Sequence, residues 1–315
     1  MNLSTVTTFK NIHMKDGMVE VKGEKLEALQ SVLKGMLADI HRVCEEHEIP
    51  YFLSGGTMLG AVRHHGFIPW DDDMDIFMTR DAFDRFREIF PGELGEGYWL
   101  HTPRDTHDYG MTISRIRKKG TVVRGREDAE QTQCGAWVDI FVLENTYDSK
   151  FLRGLHGFLS MACGFALSCR MFYSRRKLYL YLVSDDEEQK KTFKMKICLG
   201  RLLSFLSLDT WTRLTDTIYS MCHNNDSVYV VCPSGRKHFT GEQYPRDPFC
   251  KTMECRFEEQ PTYISRWSDG YMKMLYGDYM TIPPESERET HVVLEFDLGV
   301  GESEYSASSD EDVSK

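Results

Sequence analysis

The sequence predicts an α+β fold, a mixed sheet flanked by helices and carrying a helical insertion, and three observations predict it. Apolar residues recur at helical spacing from Lys25 to Glu46. Short apolar runs at Tyr51 to Leu53, Asp73 to Met78 and Trp137 to Leu143 read as strands, and residues from about 151 to 221 follow a helical pattern. We read one domain over residues 25–300, an N-terminal extension at 1–24 and an acidic tail at 301–315.

In the first helix Leu26, Leu29, Leu33, Met36, Leu37, Ile40 and Val43 form one stripe at three- and four-residue intervals, and Pro50 ends it. The strand Tyr51-Phe52-Leu53 then runs into the turn Ser54-Gly55-Gly56-Thr57, and a second helix begins over Thr57 to Val62, stopped by Gly66 and Pro69. Between Asp73 and Met78 acids alternate with Met74, Ile76 and Met78, so a strand places its carboxylates on one face. Asp81 caps the next helix, whose buried side is Phe83, Phe86 and Phe90.

Met111 to Val123 gives two strands turning at Lys118-Lys119-Gly120, with Arg115 and Arg117 pointing the same way. Trp137 to Leu143 carries Asp139. The insertion is broken at Ser184 to Lys191. A strand follows at Val228 to Val231, then a helix from Trp267 to Leu275 ended by Gly277. The final residues, with Glu302, Glu304 and Asp310 to Asp312 among serines, have no apolar face and read as disordered.

A net charge of −11 argues against non-specific nucleic-acid binding, because phosphates repel a carboxylate-rich surface. The nine cysteines show neither paired spacing nor a zinc pattern, which fits reduced thiols in a cytoplasm. Met1 to Lys10 has no secretory pattern. Leu155 to Leu167 is apolar but short for a span, and with Arg175-Arg176-Lys177 it suggests a peripheral contact with an anionic membrane, weighed below ordinary core packing.

The chemistry gathers at Asp71, Asp73 and Asp75. Alternate positions on a strand project to one side about 6–7 Å apart, and like charges this close need a compensating cation. An all-oxygen site suits magnesium or manganese. A solvated acidic loop is the plain alternative; a calcium loop is not, since Phe77, Met78 and Thr79 interrupt its pattern. Upstream, Gly55 and Gly56 can bring backbone amides to a phosphate while Thr57 opens a helix whose N-terminus favours an anion.

Two long segments carry a family resemblance. Tyr51 to His64, reading YFLSGGTMLGAVRH, and Gly66 to Ile76, reading GFIPWDDDMDI, resemble the signature of the LicD family, which includes bacterial phosphorylcholine transferases, fukutin and fukutin-related protein. It continues through Ile116 to Thr121, Trp137-Val138-Asp139-Ile140-Phe141, and Leu275 to Met280 with Pro283-Pro284. Two positions depart from it: Val142 stands where a proline is usual, and Phe257-Glu258-Glu259 where Phe-Glu-Gly is usual.

The resemblance implies a nucleotidyltransferase-like fold that moves a phospho-alcohol, such as phosphocholine, from a CDP-linked donor to a sugar hydroxyl of a surface-glycan precursor, while the cysteines and the N-terminus make a cytoplasmic enzyme the default, with contact at the inner face of the membrane as the peripheral option. It implies metal ligands at Asp71, Asp73, Asp75 and Asp139 for Mg2+ or Mn2+, with catalytic roles for Asp73, Asp75 and Asp139. Asp139 is the first choice to take the hydroxyl proton; pairing with an arginine is its structural alternative. Gly55, Gly56, Thr57, Arg63, Arg115 and Arg117 are the expected substrate contacts, although Arg115 and Arg117 have an equally physical use in pairing with acids. Trp70 stacks on a base or sugar, or packs as core.

Overall fold

The protein is described by a computed structural model covering residues 18–128, 131–184, 186–285, 288 and 292–299. The expected acidic tail lies outside these residues, as does most of the N-terminal extension. The chain starts with β1 (Val19–Glu20), and α1 (Glu24–Glu46) follows, burying all seven residues of the predicted stripe together with Cys44. Next come β2 (Phe52–Leu53), α2 (Gly55–His64), β3 (Asp75–Thr79) and α3 (Arg80–Glu93). β4 (Tyr98–His101), β5 (Ser114–Lys118), β6 (Val122–Arg124) and the long β7 (Trp137–Asn145) complete the first half.

Four helices then occupy the stretch expected to be helical: α4 (Lys150–Ser174), α5 (Arg176–Leu182), α6 (Glu187–Leu202) and α7 (Leu208–Tyr219). The chain returns to the sheet through β8 (Tyr229–Val231), α8 (His238–Gly241), β9 (Gln243–Pro245) and α9 (Arg246–Cys250). A hairpin, β10 (Thr252–Phe257) and β11 (Gln260–Ser265), leads to α10 (Ser268–Tyr276), then β12 (Val292–Val293) and β13 (Glu295–Asp297).

The main sheet is mixed, with strand order β2-β3-β7-β5-β4. β3 and β7 run parallel at its centre, with Asp75 opposite Asp139, and the other pairings in that order are antiparallel. At its far end β7 pairs with β8, which pairs with β9. Val138, Ile140, Ile76 and Met78 are fully buried between the flanking helices, which is where burial of apolar area outweighs the cost of ordering the chain.

Several expected boundaries move. Gly55 and Gly56 form the first turn of α2 and do not precede it. β3 starts at Asp75, so Asp71 and Asp73 sit in the incoming loop, where the Asp71 amide donates to the Ile68 carbonyl at 2.9 Å. Asp81 lies inside the first turn of α3, whose cap position is Thr79. β5 and β6 exist but do not pair with each other: β5 lies between β4 and β7, and β6 pairs with β13.

The insertion is tied to the sheet by buried charge. Arg80 at the start of α3 pairs with Glu144 on β7 and, at 3.0 Å, with Asp216 on α7; Arg104 closes on the same Asp216. Fixed partners of this kind set the position of α7 against β7.

Candidate active site

α2 enters the site because of its glycines. Gly55 has φ +50°, and a Cβ built there would stand 2.6 Å from Asp75 Oδ2. One built on Gly56 would stand 2.8 Å from Asp71 Oδ2. Two carboxylates therefore lie against the N-terminal turn of a helix, where the macrodipole favours negative charge and only glycine leaves room.

The backbone around them is braced. The Ser54 amide donates to the Asp75 carbonyl at 3.0 Å, and the Asp75 amide donates to Thr57 Oγ1 at 2.8 Å. Thr57 thus uses its hydroxyl to hold β3; it is buried and does not line the cavity. Gln30 on α1 donates to the Asp71 carbonyl at 2.9 Å and fixes the incoming loop. The Gly55 amide donates to the Tyr271 hydroxyl at 3.1 Å, so of the two expected glycine amides this one has a protein acceptor.

Asp71, Asp73 and Asp75 line one cavity of about 840 Å³, within the size range of small-molecule sites. Gly55, Gly56 and Arg63 share its wall, whereas the buried Asp72 is not part of it. Arg63 Nη1 donates to the Tyr279 carbonyl at 2.7 Å and ties α2 to the loop after α10. Trp70 is half-buried on the wall, with the Arg288 guanidinium 4.1 Å from its ring centroid, a cation on an aromatic face. Of the two expected uses of Trp70, the structure shows the packing one, against the edge of the core, and Arg288 lies over its ring.

Asp139 stands opposite Asp75 on the neighbouring strand but does not line the cavity. Arg115 holds both of its oxygens, Nε to Oδ1 at 2.6 Å and Nη2 to Oδ2 at 3.1 Å. Burial raises the Asp139 carboxyl above the usual carboxylate range, with Arg115 opposing the rise. Arg115 also donates to Glu127 at 3.0 Å; that carboxyl, pushed up by burial, is pulled down to about 2 by Arg115 and Arg126. Arg117 is fully buried and pairs with Asp128 at 2.7 Å. Of the two uses read for Arg115 and Arg117, the structure has both spent on acids and neither on the cavity wall.

Sequence reasoning assigned no site role to a further part of the cavity lining. Ser234, Gly235, Arg236 and His238 follow β8, Glu242 precedes β9, and Tyr271 and Tyr276 come from α10. Tyr276 lies within reach of all three cavity carboxylates: burial raises its phenol strongly, the charges of Asp75, Asp71 and Asp73 add to the rise, and Arg236 opposes it. Two local signals pointed there: the family-like run Leu275 to Met280 with Pro283-Pro284, read only as a resemblance, and the Pro233-Ser234-Gly235-Arg236 stretch after a strand.

The cavity set fits a hard divalent ion. Three carboxylates converge on one wall, two of them stand over a glycine turn that side chains would fill, and the donors are all oxygen. A second acidic group among the described residues, His107, Asp108 and Asp209, has ligand atoms within 4.8 Å of one another but lies outside the cavity.

Residues 48–153 match the family model described as "LicD/FKTN/FKRP, nucleotidyltransferase domain". That stretch holds α2, all four aspartates and the sheet centre, but not the Ser234 to Tyr276 wall. The chain is 28% identical over 273 residues, 86% of its length and 97% of the relative's, to the lipopolysaccharide cholinephosphotransferase LicD of Haemophilus influenzae. It is also 40% identical over 63 residues to an uncharacterized protein of Rickettsia typhi, covering 20% of each, and 37% identical over 84 residues to one of Rickettsia prowazekii, covering 27% of this chain and 30% of that one.

Proposed function

We propose, for a chain that carries a LicD-type nucleotidyltransferase domain, that it is a transferase moving a phospho-alcohol of the phosphocholine class from a CDP-linked donor to a sugar hydroxyl of a lipopolysaccharide-type glycan precursor. The observation that carries this reading is that Asp71, Asp73 and Asp75 line one cavity, with Asp71 and Asp75 set against the glycine turn of α2. Asp71, Asp73 and Asp75 would hold Mg2+ or Mn2+. When bound, such an ion neutralises diphosphate charge as the phosphoanhydride breaks.

The chain's own groups do the remainder. With the Gly55 amide taken by Tyr271, the Gly56 amide, which has no intrahelical acceptor in the first turn, and the helix dipole favour a diphosphate beside Gly56. Arg236 and Arg63 bring positive charge to the same cavity and stabilise the departing CMP. The acceptor oxygen forms the new bond to phosphorus, the bond to CMP breaks, and the hydroxyl proton passes to a cavity carboxylate. Asp139, held by Arg115, acts one strand away by fixing the charge beside Asp75. Electrostatics and positioning dominate such a reaction.

The test is incubation with magnesium and either CDP-choline or CTP, with a purified glycan precursor as acceptor. Release of CMP without pyrophosphate is expected. Pyrophosphate release from CTP would instead assign a nucleotidyltransferase that makes the donor, and no turnover across a panel of CDP-alcohols would leave a binding protein on the same fold.

A further inference from the structure

One side of α4 is bare and apolar. Phe151, Leu155, Phe158, Met161 and Phe165 recur at three- and four-residue spacing and are 79%, 46%, 69%, 40% and 39% exposed. At about 1.5 Å per residue the stripe is roughly 20 Å long, and an uncharged face of that length is more than scattered surface hydrophobics. Leu202 and Phe205 add two more side chains, 71% and 72% exposed, where the 3-10 turn Leu203–Phe205 packs on α4.

The other side of the same helix is fastened to the protein. α4 packs along α6 and α7, the His156 ring nitrogen Nε2 lies 2.9 Å from the Ile218 carbonyl, and Thr215 donates to the Cys163 carbonyl at 3.4 Å. By length and composition α4 is apolar enough to cross a membrane, yet its packing along α6 and α7 and the bond of buried His156 to the Ile218 carbonyl fasten one face to the protein. A helix held along one side and apolar along the other lies on a bilayer surface; it does not span it.

Charge identifies the surface. Residues 150–221 carry 12 Lys and Arg against 6 Asp and Glu, while the rest of the chain carries 26 against 43. Lys150, Arg176, Lys177, Lys191, Lys194 and Arg201 of this region are exposed. A cationic, apolar-faced element in an otherwise acidic protein complements anionic headgroups. We infer that this face of α4, with Leu202 and Phe205, docks the chain on an anionic phospholipid surface.

The inference does not depend on the reaction proposed above, but it places the membrane close to the cavity. Gly157 of α4 meets Phe239 of α8, whose ring a Cβ on that glycine would approach to 2.9 Å, and the adjoining Gly235, Arg236 and His238 line the cavity.

The test is co-sedimentation of the full chain with vesicles of phosphatidylcholine alone and of equal parts phosphatidylcholine and phosphatidylglycerol. The chain is expected to sediment with the anionic vesicles, to do so less as salt rises, and to remain largely in solution with the neutral ones. Phe151→Ser with Phe158→Ser, both at exposed sites, is expected to weaken partitioning at least about tenfold while the melting temperature stays unchanged. Equal partitioning of wild type and double variant, equal binding to both vesicle types, or no sedimentation of the wild type overturns the inference. So does a dimer in light scattering that the double substitution converts to a monomer, because that outcome assigns the face to a second copy of the chain.

Discussion

Replacing Asp75 by Asn is expected to lower turnover by on the order of 10³-fold or more while leaving the protein folded. Asp75 supplies one of three carboxylates on the cavity wall and stands directly over Gly55, so the amide removes a charge that no neighbour replaces. Stability should hold or rise, because the substitution relieves repulsion among Asp71, Asp73 and Asp75 and leaves the backbone bond from the Asp75 amide to Thr57 intact. Asp73→Asn should behave in the same way. The measurements are CMP release and thermal unfolding of each variant against wild type. Wild-type turnover in either variant would remove the metal assignment.

Gly56→Ala separates the site from the fold more sharply. Gly56 sits in the first turn of α2 with an ordinary helical φ, so alanine suits the backbone and is worth roughly 0.5–1 kcal/mol in helix propensity. Its Cβ, however, would stand 2.8 Å from Asp71 Oδ2, and the carboxylate must turn away. The expected outcome is unchanged or slightly raised stability with activity down about a hundredfold, since a misplaced charge of about 1 Å costs that much. A loss of stability in step with activity would mean that the glycine serves packing only.

The local patterns of the sequence carried much of this arrangement. The stripe of α1, the glycine turn before spaced aspartates and the apolar run around Asp139 all depend on neighbours within a few residues, and α1, α2, β3 and β7 form where those patterns lie. Their limits came out differently where a longer reach decides. Asp71, Asp73 and Asp75 were expected on one strand face, yet only Asp75 is on the strand; the others line the cavity from the incoming loop, whose Asp71 carbonyl is held by Gln30 of α1, far away in sequence.

The partners of charged residues were harder to read. Arg115 and Arg117 occupy one strand face as alternation requires, but which acids they meet is fixed by the return of residues 127 and 128 beside β5 and by β7 pairing with it. Arg236 and Tyr276 lie more than 150 residues beyond Asp75 in the chain, and no local period brings them to the acids. The bare face of α4 was legible only as an apolar run, because a run does not say which side neighbours will cover.

The central claim is that the cavity acids form one cation site against α2, and it is tested most directly by titrating the purified chain with Mn2+ and following the free ion by electron spin resonance. Saturable uptake by the wild type is predicted, displaced by Mg2+ and weakened at least tenfold in both Asp75→Asn and Gly56→Ala. Uptake that is absent in the wild type, or equal in all three proteins, would contradict the account.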